Sequence, residues 1–230
     1  MELQDYKVLL TGSEGKLGGR IKKELIATGV SGILYYDRKL GQDLLDHKKV
    51  RKACRECNAV VHAAGLPHPG MGSVTEYLWF NSIGSLVLLE EAIRSKHKVF
   101  VYISSGCVYG WDTGTPVPGP FPVSEDSPLV YDAAEPYTIS KITTENMLKA
   151  HGHEGLIKIV ILRLAPIWNE TDAPKKEYLG AAVSPATAVN AVINSLVLDT
   201  DEKVSIYNIA DPWRCGDYSI KRALRDGIIK

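Results

Sequence analysis

The sequence predicts an α/β fold, a doubly wound parallel sheet with helices on both faces. Two observations carry this: apolar runs of strand length alternate with longer stretches of helical period, and a glycine-rich turn separates the first strand from the first helix. The 230 residues are 45% hydrophobic and 23% charged, ordinary values for a chain that folds around one substantial core. Lys plus Arg (27) equal Asp plus Glu (27), so no global basic field attracts nucleic acid or an anionic membrane. The polar, acidic N-terminus, with no run near roughly 18 apolar residues, predicts a soluble, cytoplasmic protein.

Residues 7–11 form the first buried-strand pattern, and Leu17, Ile21 and Leu25 recur every four residues until Gly29 offers a C-cap. Further strands are predicted at Ile33–Asp37, Ala59–Ala63 and Val99–Ser104. Between the last two, Tyr77, Phe80, Ile83, Val87 and the cluster through Ile93 keep a helical period over about five turns. The Lys48–Arg55 run reads as the solvated face of a basic helix. Cys54 and Cys57 sit there without the further ligands zinc needs, and Cys107 and Cys215 are isolated, so no metal is predicted. Six of the 12 Pro fall within residues 106–136, which reads as an extended functional loop. Helix returns at Tyr137–His151, strand at Lys158–Ala165, helix at Pro185–Leu198 and strand at Val204–Ile209.

After the first strand the chain runs Thr11-Gly-Ser-Glu-Gly-Lys-Leu-Gly18 into the first helix. Gly12 permits the sharp turn, Gly15 lets a pyrophosphate approach the backbone, and Gly18 lets helix pack on strand. Lys16, Leu17 and Gly18 then open the helix, whose free N–H groups and dipole suit phosphate. Asp37 lies 19 residues past Gly18 at the end of the second strand, placed to accept hydrogen bonds from an adenosine ribose. These features predict Rossmann-like dinucleotide binding. Asp37 repels a 2′-phosphate and favours NAD, whereas Arg38 and Lys39 leave NADP possible.

Tyr137 and Lys141 are four apart at the start of a helix and share a face. A phenol acting as a base near neutrality must be brought from a pKa near 10 to about 7, worth roughly 4 kcal/mol. A lysine ammonium one turn away and an oxidised nicotinamide can supply that in a desolvated cleft. The fourth strand ends in Ser104-Ser105, at the sheet edge where ligands bind, and a hydroxyl there can hold a substrate oxygen.

Together these motifs resemble the short-chain dehydrogenase/reductase superfamily, in its extended, NAD-dependent epimerase/dehydratase branch. Thr11–Gly18 is similar to that branch's TGxxGxxG. Asp43-Leu44 resembles its adenine-contacting pair, and Val60-Val-His-Ala-Ala64 with Gly65 resembles the strand before its nicotinamide pocket. Asn81-Ser-Ile-Gly-Ser85 is similar to NxxGT, Ser104-Ser-Gly-Cys-Val-Tyr-Gly110 to SSxxVYG, Pro136–Lys141 with Glu145 to PYxxSKxxxE, and Val204–Ile209 to a late strand ending in YNI. The resemblance implies that Ser105 orients the reacting oxygen, Tyr137 is the acid/base, Lys141 lowers its pKa and holds the nicotinamide ribose, and Asn81 supports a link behind the lysine. It implies NAD-dependent hydride transfer at a secondary alcohol of a sugar-type substrate, by a dehydrogenase or by a sugar-nucleotide 4-epimerase that retains its cofactor. It also implies a homodimer through the helices bearing Asn81 and Tyr137. A non-catalytic dinucleotide sensor is the reading from another class, against which the retained Ser-Tyr-Lys set argues.

Dehydratases of the branch carry an Asp-Glu pair where this chain has Gly106-Cys107, so dehydration lacks its general acid. After the fifth strand, Arg163-Leu-Ala-Pro-Ile-Trp168-Asn169 keeps the branch's arginine but departs from its R-x-x-N-V-Y-G-P. Residues 1–165 read as the dinucleotide-binding part. Residues 166–230 read as a reduced substrate-binding portion, interleaved with the last helix and strand in one compact unit and suited to a small sugar or sugar acid, as in uronate dehydrogenases. Candidate substrate contacts are Ser105, His68, Trp111, Arg163 and Trp168. Phe121 and Tyr131 join Trp111 as possible cover for a sugar ring, with packing on the domain as the alternative. Lys175, Lys176 and Arg214 offer charge for an anionic group or form a solvated surface.

Overall fold

In the computed structural model the described residues are 2–110, 119–130, 135–168 and 181–230. Trp111, Tyr131, Asn169, Lys175 and Lys176 lie outside them. Six strands, β1 (Lys7–Thr11), β2 (Gly32–Tyr36), β3 (Ala59–His62), β4 (Val99–Ser105), β5 (Lys158–Leu164) and β6 (Val204–Ile209), form one sheet in the order 2-1-3-4-5-6. Every pairing is parallel. Both faces are covered, so the strands read as continuous Val/Ile/Leu runs.

The pleat sends alternate residues of β1 to opposite cores. Val8 and Leu10 pack with Ile21 and Leu25 of α1 (Lys16–Ala27) and with Val189 and Val192 of α6 (Pro185–Leu196). Leu9 packs on the other face with Val50 and Cys54 of α2 (His47–Arg55), Leu88 of α4 (Gly84–Arg94) and Leu148 of α5 (Pro136–His153). From β1 the chain crosses to β2 on one side and then returns to β3 on the other. The crevice beyond the C-terminal ends of β1 and β3 is therefore the switch point at which such sheets bind ligands.

Most predicted elements shift by one or two residues at an end, and two departures shape the site. The helix expected from Tyr77 starts earlier, at α3 (Val74–Tyr77), opened by a Ser73–Glu76 capping box. It then widens into a π-helical turn, Leu78–Ile83, before α4. The second strand ends at Tyr36 because the Asp37 side chain caps a short 3₁₀ turn, Arg38–Leu40, by accepting from Lys39 N.

The Pro-rich segment begins as a 3₁₀ turn, Gly106–Tyr109. Its described continuation is tied down at Val123, whose N–H donates to Asp217 O (2.8 Å) and whose carbonyl accepts from Ser219 N (2.8 Å). Phe121 there is 50% exposed, so it is not packed into the domain.

Candidate active site

At the crevice the glycine-rich turn is shaped by contact. Gly12 has φ +71°, and a Cβ there would lie 2.7 Å from the carbonyl carbon and oxygen of Ala63 and the nitrogen of Ala64. Glycine is therefore required both for the backbone conformation and for the crossing of the chain leaving β3. The N-cap of α1 is Gly15, which brings no side chain to its orphan N–H groups. Lys16 and Leu17 open the helix, with Lys16 exposed and Leu17 packed on the core, while Gly18 is buried against the turn. An uncapped helix N-terminus beside a stripped backbone fits a pyrophosphate.

The Asp37 carboxylate accepts from Lys39 N (2.8 Å) and Glu14 N (3.0 Å), which fixes it at the mouth of the glycine turn. Arg38 is exposed, stacks 4.3 Å over Phe80 and lies 3.9 Å from Asp43. Asp43 accepts from Leu45 N (2.9 Å), and Leu44 is buried against Gly84. The turn, Asp37 and the Asp43-Leu44 pair thus line one end of the crevice, as a dinucleotide requires.

The other end is built on α5 and β4. Pro136 starts α5, Glu135 caps it by accepting from Thr138 N (2.8 Å), and Tyr137 and Lys141 follow one turn apart. Tyr137 is 5% exposed and meets the Tyr77 ring edge-on, with centroids 6.0 Å apart. Lys141 is 7% exposed; its Nζ donates to Ile103 O (2.9 Å) and lies 4.9 Å over the Tyr102 ring and 5.8 Å from the Tyr137 ring centre. Burial pulls the Lys141 pKa down to about 8, against the opposing fields of Cys107 and Glu145. Ser105, two residues beyond Ile103, ends β4 half-buried and accepts from Cys107 N (3.2 Å).

Asn81 sits in the π-helical turn and joins three segments. Its Oδ1 accepts from Leu66 N (2.7 Å), and its Nδ2 donates to Leu66 O (3.2 Å) and Ser140 Oγ (3.0 Å). A Cβ on Gly65 would fall 2.7 Å from that Oδ1. The Asn81 carbonyl accepts from Ser85 Oγ and from Thr144 Oγ1 (3.1 Å). Asn81 thereby ties the chain leaving β3 to the helix of Tyr137 and Lys141.

Several contributors had no role assigned from sequence. Fully buried His62 bridges Thr11 Oγ1 and Ser85 Oγ, both at 2.7 Å, and burial, with the Lys141 charge, pushes its pKa down to about 3. A neutral imidazole thus links the glycine turn to the Asn81 helix. Its signal was a lone polar residue inside an apolar strand. Tyr77 OH donates to His68 O (2.6 Å) and accepts from Met71 N (2.9 Å), pinning the loop after β3. The His68 side chain is exposed, its Nδ1 bonding its neighbour's carbonyl, Pro69 O (3.0 Å).

Two expected substrate contacts are placed differently from one another. Arg163 is 1% exposed and faces inward: it binds Glu145 (2.8–3.2 Å), Tyr109 OH (2.6 Å) and Glu125 O (3.2 Å). A guanidinium enclosed in this way is an interior clamp and is not open to substrate, which corrects the expectation. Trp168 is half-buried beyond β5, its Nε1 donating to Asp211 (2.8 Å) and its ring against Trp213 and Arg214.

A parallel sheet with a glycine-rich turn at its switch point, and a buried Tyr-Lys pair on the helix beside β4, define a Rossmann-like protein of the short-chain dehydrogenase/reductase type. The chain belongs to the NAD dependent epimerase/dehydratase family, whose model matches residues 8–202. Among curated proteins it is similar to UDP-glucose 4-epimerase 2 of Arabidopsis thaliana, 29% identical over 75% of this chain and 54% of the relative. It is also similar to UDP-glucose 4-epimerase of Azospirillum brasilense, 26% identical over 87% and 60%. The chain thus spans little more than half the length of these relatives. Among solved structures, a mutated uronate dehydrogenase superposes with a TM-score of 0.78 at 17% identity, over 97% of this chain and 81% of the other. The NAD complex of UDP-glucuronic acid 4-epimerase from Bacillus cereus gives 0.72 at 18%, over 90% and 78%. At these identities the structural likeness concerns the fold.

Proposed function

We propose that the chain is an NAD-dependent oxidoreductase or epimerase acting at a secondary-alcohol carbon of a sugar or sugar-derived substrate. The observation that carries this reading is the tie between helix and strand: Tyr137 and Lys141 share a face of α5, and Lys141 Nζ is anchored to Ile103 O, two residues before Ser105. When bound, NAD exchanges hydride with the substrate carbon. Tyr137 takes the proton of the substrate hydroxyl and returns it on reduction. Lys141, whose pKa burial pulls down to about 8, stabilises the phenolate by its charge near neutrality. Ser105 Oγ orients the oxygen, and Asn81 holds the helix in place. The fixed Asp37 carboxylate favours an unphosphorylated ribose, hence NAD over NADP. Gly106 and Cys107 bring no carboxylic acid to the site, which argues against dehydration.

The names of the curated relatives favour a second reading within the same chemistry, a sugar-nucleotide 4-epimerase that keeps its NAD. Leu78, Trp79 and Ile83 on the π-helical turn and Ile139 on α5 are 37–49% exposed, which supports a homodimer through these helices. The test of the mechanism is Tyr137→Phe, assayed by reduced-cofactor absorbance and by product analysis over free sugars, sugar acids and nucleotide-sugars. Turnover should fall at least about a hundredfold with NAD affinity unchanged. Wild-type turnover in that variant would refute the assignment.

A further inference from the structure

The ends of β4, β5 and β6 are in register, Ser105 opposite Leu164 and Leu164 opposite Ile209. Two strand spacings separate Ser105 from Ile209, about 10 Å. Trp168 lies four residues beyond Leu164 and Arg214 five beyond Ile209, so both project from the sheet edge that carries Ser105. Backbone bonds knit these exits together: Trp168 N donates to Val183 O (3.1 Å), Ala182 N to Arg214 O (2.9 Å) and Asp211 N to Ala182 O (2.9 Å). Asp211, 2% exposed, commits its carboxylate to Trp168 Nε1 (2.8 Å), Ser184 N (2.9 Å) and Ser184 Oγ (3.0 Å). That carboxylate fixes the Trp168 indole and forms no ion pair with Arg214.

The Arg214 guanidinium lies between two indoles, 4.6 Å from the Trp168 ring centre and 4.4 Å from that of Trp213. The rings meet edge to face at 80° with centroids 5.7 Å apart. Among the described residues, Arg214 Nη1 is buried and finds no hydrogen-bond partner. A buried guanidinium N–H left without an acceptor is costly, and its natural complement is a planar or tetrahedral oxyanion. Trp213 is 65% exposed, so the cluster opens to solvent on one side. Stacking holds the charge in one orientation without using any of its donors.

We propose that Arg214, held between Trp168 and Trp213, is an oxyanion subsite that binds a carboxylate or phosphate carried by the substrate. It lies on the segment that leaves β6, two strands along the same sheet edge from the β4 end that carries Ser105. The substrate class is thereby narrowed to acidic or phosphorylated sugars. This rests on the sugar oxidoreductase reading above, and its test does not require turnover.

The NAD-saturated chain is titrated calorimetrically with glucose, glucuronate, glucose 1-phosphate and UDP-glucose. At least one charged probe should bind well above glucose. Arg214→Gln, which keeps a flat stacking group but no charge, should weaken that probe roughly ten- to a hundredfold while NAD affinity and melting temperature hold. Arg214→Lys should retain part of the affinity. Binding of glucuronate identifies the carboxylate as the source, and binding of the phosphorylated probes alone identifies the phosphate; both support the subsite. No charged probe bound above glucose, or unchanged affinities in Arg214→Gln, would overturn it. A failure of the parent reading shows separately, as turnover that survives Tyr137→Phe.

Discussion

Glu145→Ala should be the most destabilising single change in α5. The Glu145 carboxylate is 0% exposed and receives Arg163 Nη2 at 2.8 Å, Arg163 Nε at 3.1 and 3.2 Å and Ser104 Oγ at 2.7 Å. Its removal leaves a guanidinium that is 1% exposed with only the neutral oxygens of Tyr109 OH (2.6 Å) and Glu125 O (3.2 Å) bonded to it among the described residues. Breaking such a pair costs about 3–5 kcal/mol. For a chain of this size each kcal/mol lowers the melting temperature by about 2–4 °C, so a fall of roughly 6–20 °C follows. Thermal unfolding followed by circular dichroism measures it directly. The pair Glu145→Met with Arg163→Met should recover much of the loss, because two matched apolar groups leave no orphaned charge. A melting temperature within about 2 °C of wild type for Glu145→Ala would refute the claim that this pair anchors α5 to the sheet. The same pair sets the acid limb: burial alone would raise the Glu145 pKa, but the charge and bonds of Arg163 and the bond from Ser104 hold it below its ordinary value. Its stabilisation is therefore complete above the ordinary carboxylate range and is lost as pH falls through the depressed folded value. Glu145→Gln should flatten that part of the stability curve.

Three further outcomes are expected. Gly12→Ala should abolish NAD binding by calorimetry and lower stability, since the new Cβ would stand 2.7 Å from the Ala63 carbonyl at a positive φ; ordinary NAD affinity would contradict the assigned turn. Asp37→Ala should weaken NAD roughly tenfold or more and raise the NADP-to-NAD affinity ratio, and an unaltered ratio would remove Asp37 from ribose recognition. Trp79→Glu should shift the chain toward monomer in sedimentation velocity, whereas an unchanged sedimentation coefficient would place any dimer contact elsewhere.

Much of this architecture was legible in the sequence because the parallel strands are mainly apolar and the candidate site residues sit at or beyond their ends. β1 and β6 occupy the spans that their apolar runs mark, and the glycine turn, Asp37, Tyr137 and Lys141 were placed by spacing alone. Arg163 misled for the same reason that made β5 easy to find. A strand buried on both faces carries no alternation, so nothing local tells whether Arg163 points to a cleft or into the core. The π-helical turn was invisible because its apolar period continues smoothly into α4. His62 reads in the sequence only as part of a strand, since its partners Thr11 and Ser85 lie 51 and 23 residues away. The stacking of Arg214 on Trp168 joins the exits of two different strands, a juxtaposition that only the folded sheet creates.

The widened turn at Leu78–Ile83 sets helix regularity against site placement. Deleting one residue from it would restore an ordinary α-helix and rotate all that precedes the deletion by about 100° relative to α4. A deletion at Ser82 or Ile83 would then swing Asn81 away from Leu66 and Ser140. Selection for thermal endurance alone rewards that repair, because a regular helix satisfies its own carbonyls. An engineer ranking deletions here by melting temperature would therefore collect well-behaved proteins that have lost their purpose, and libraries over this segment should be scored on turnover first.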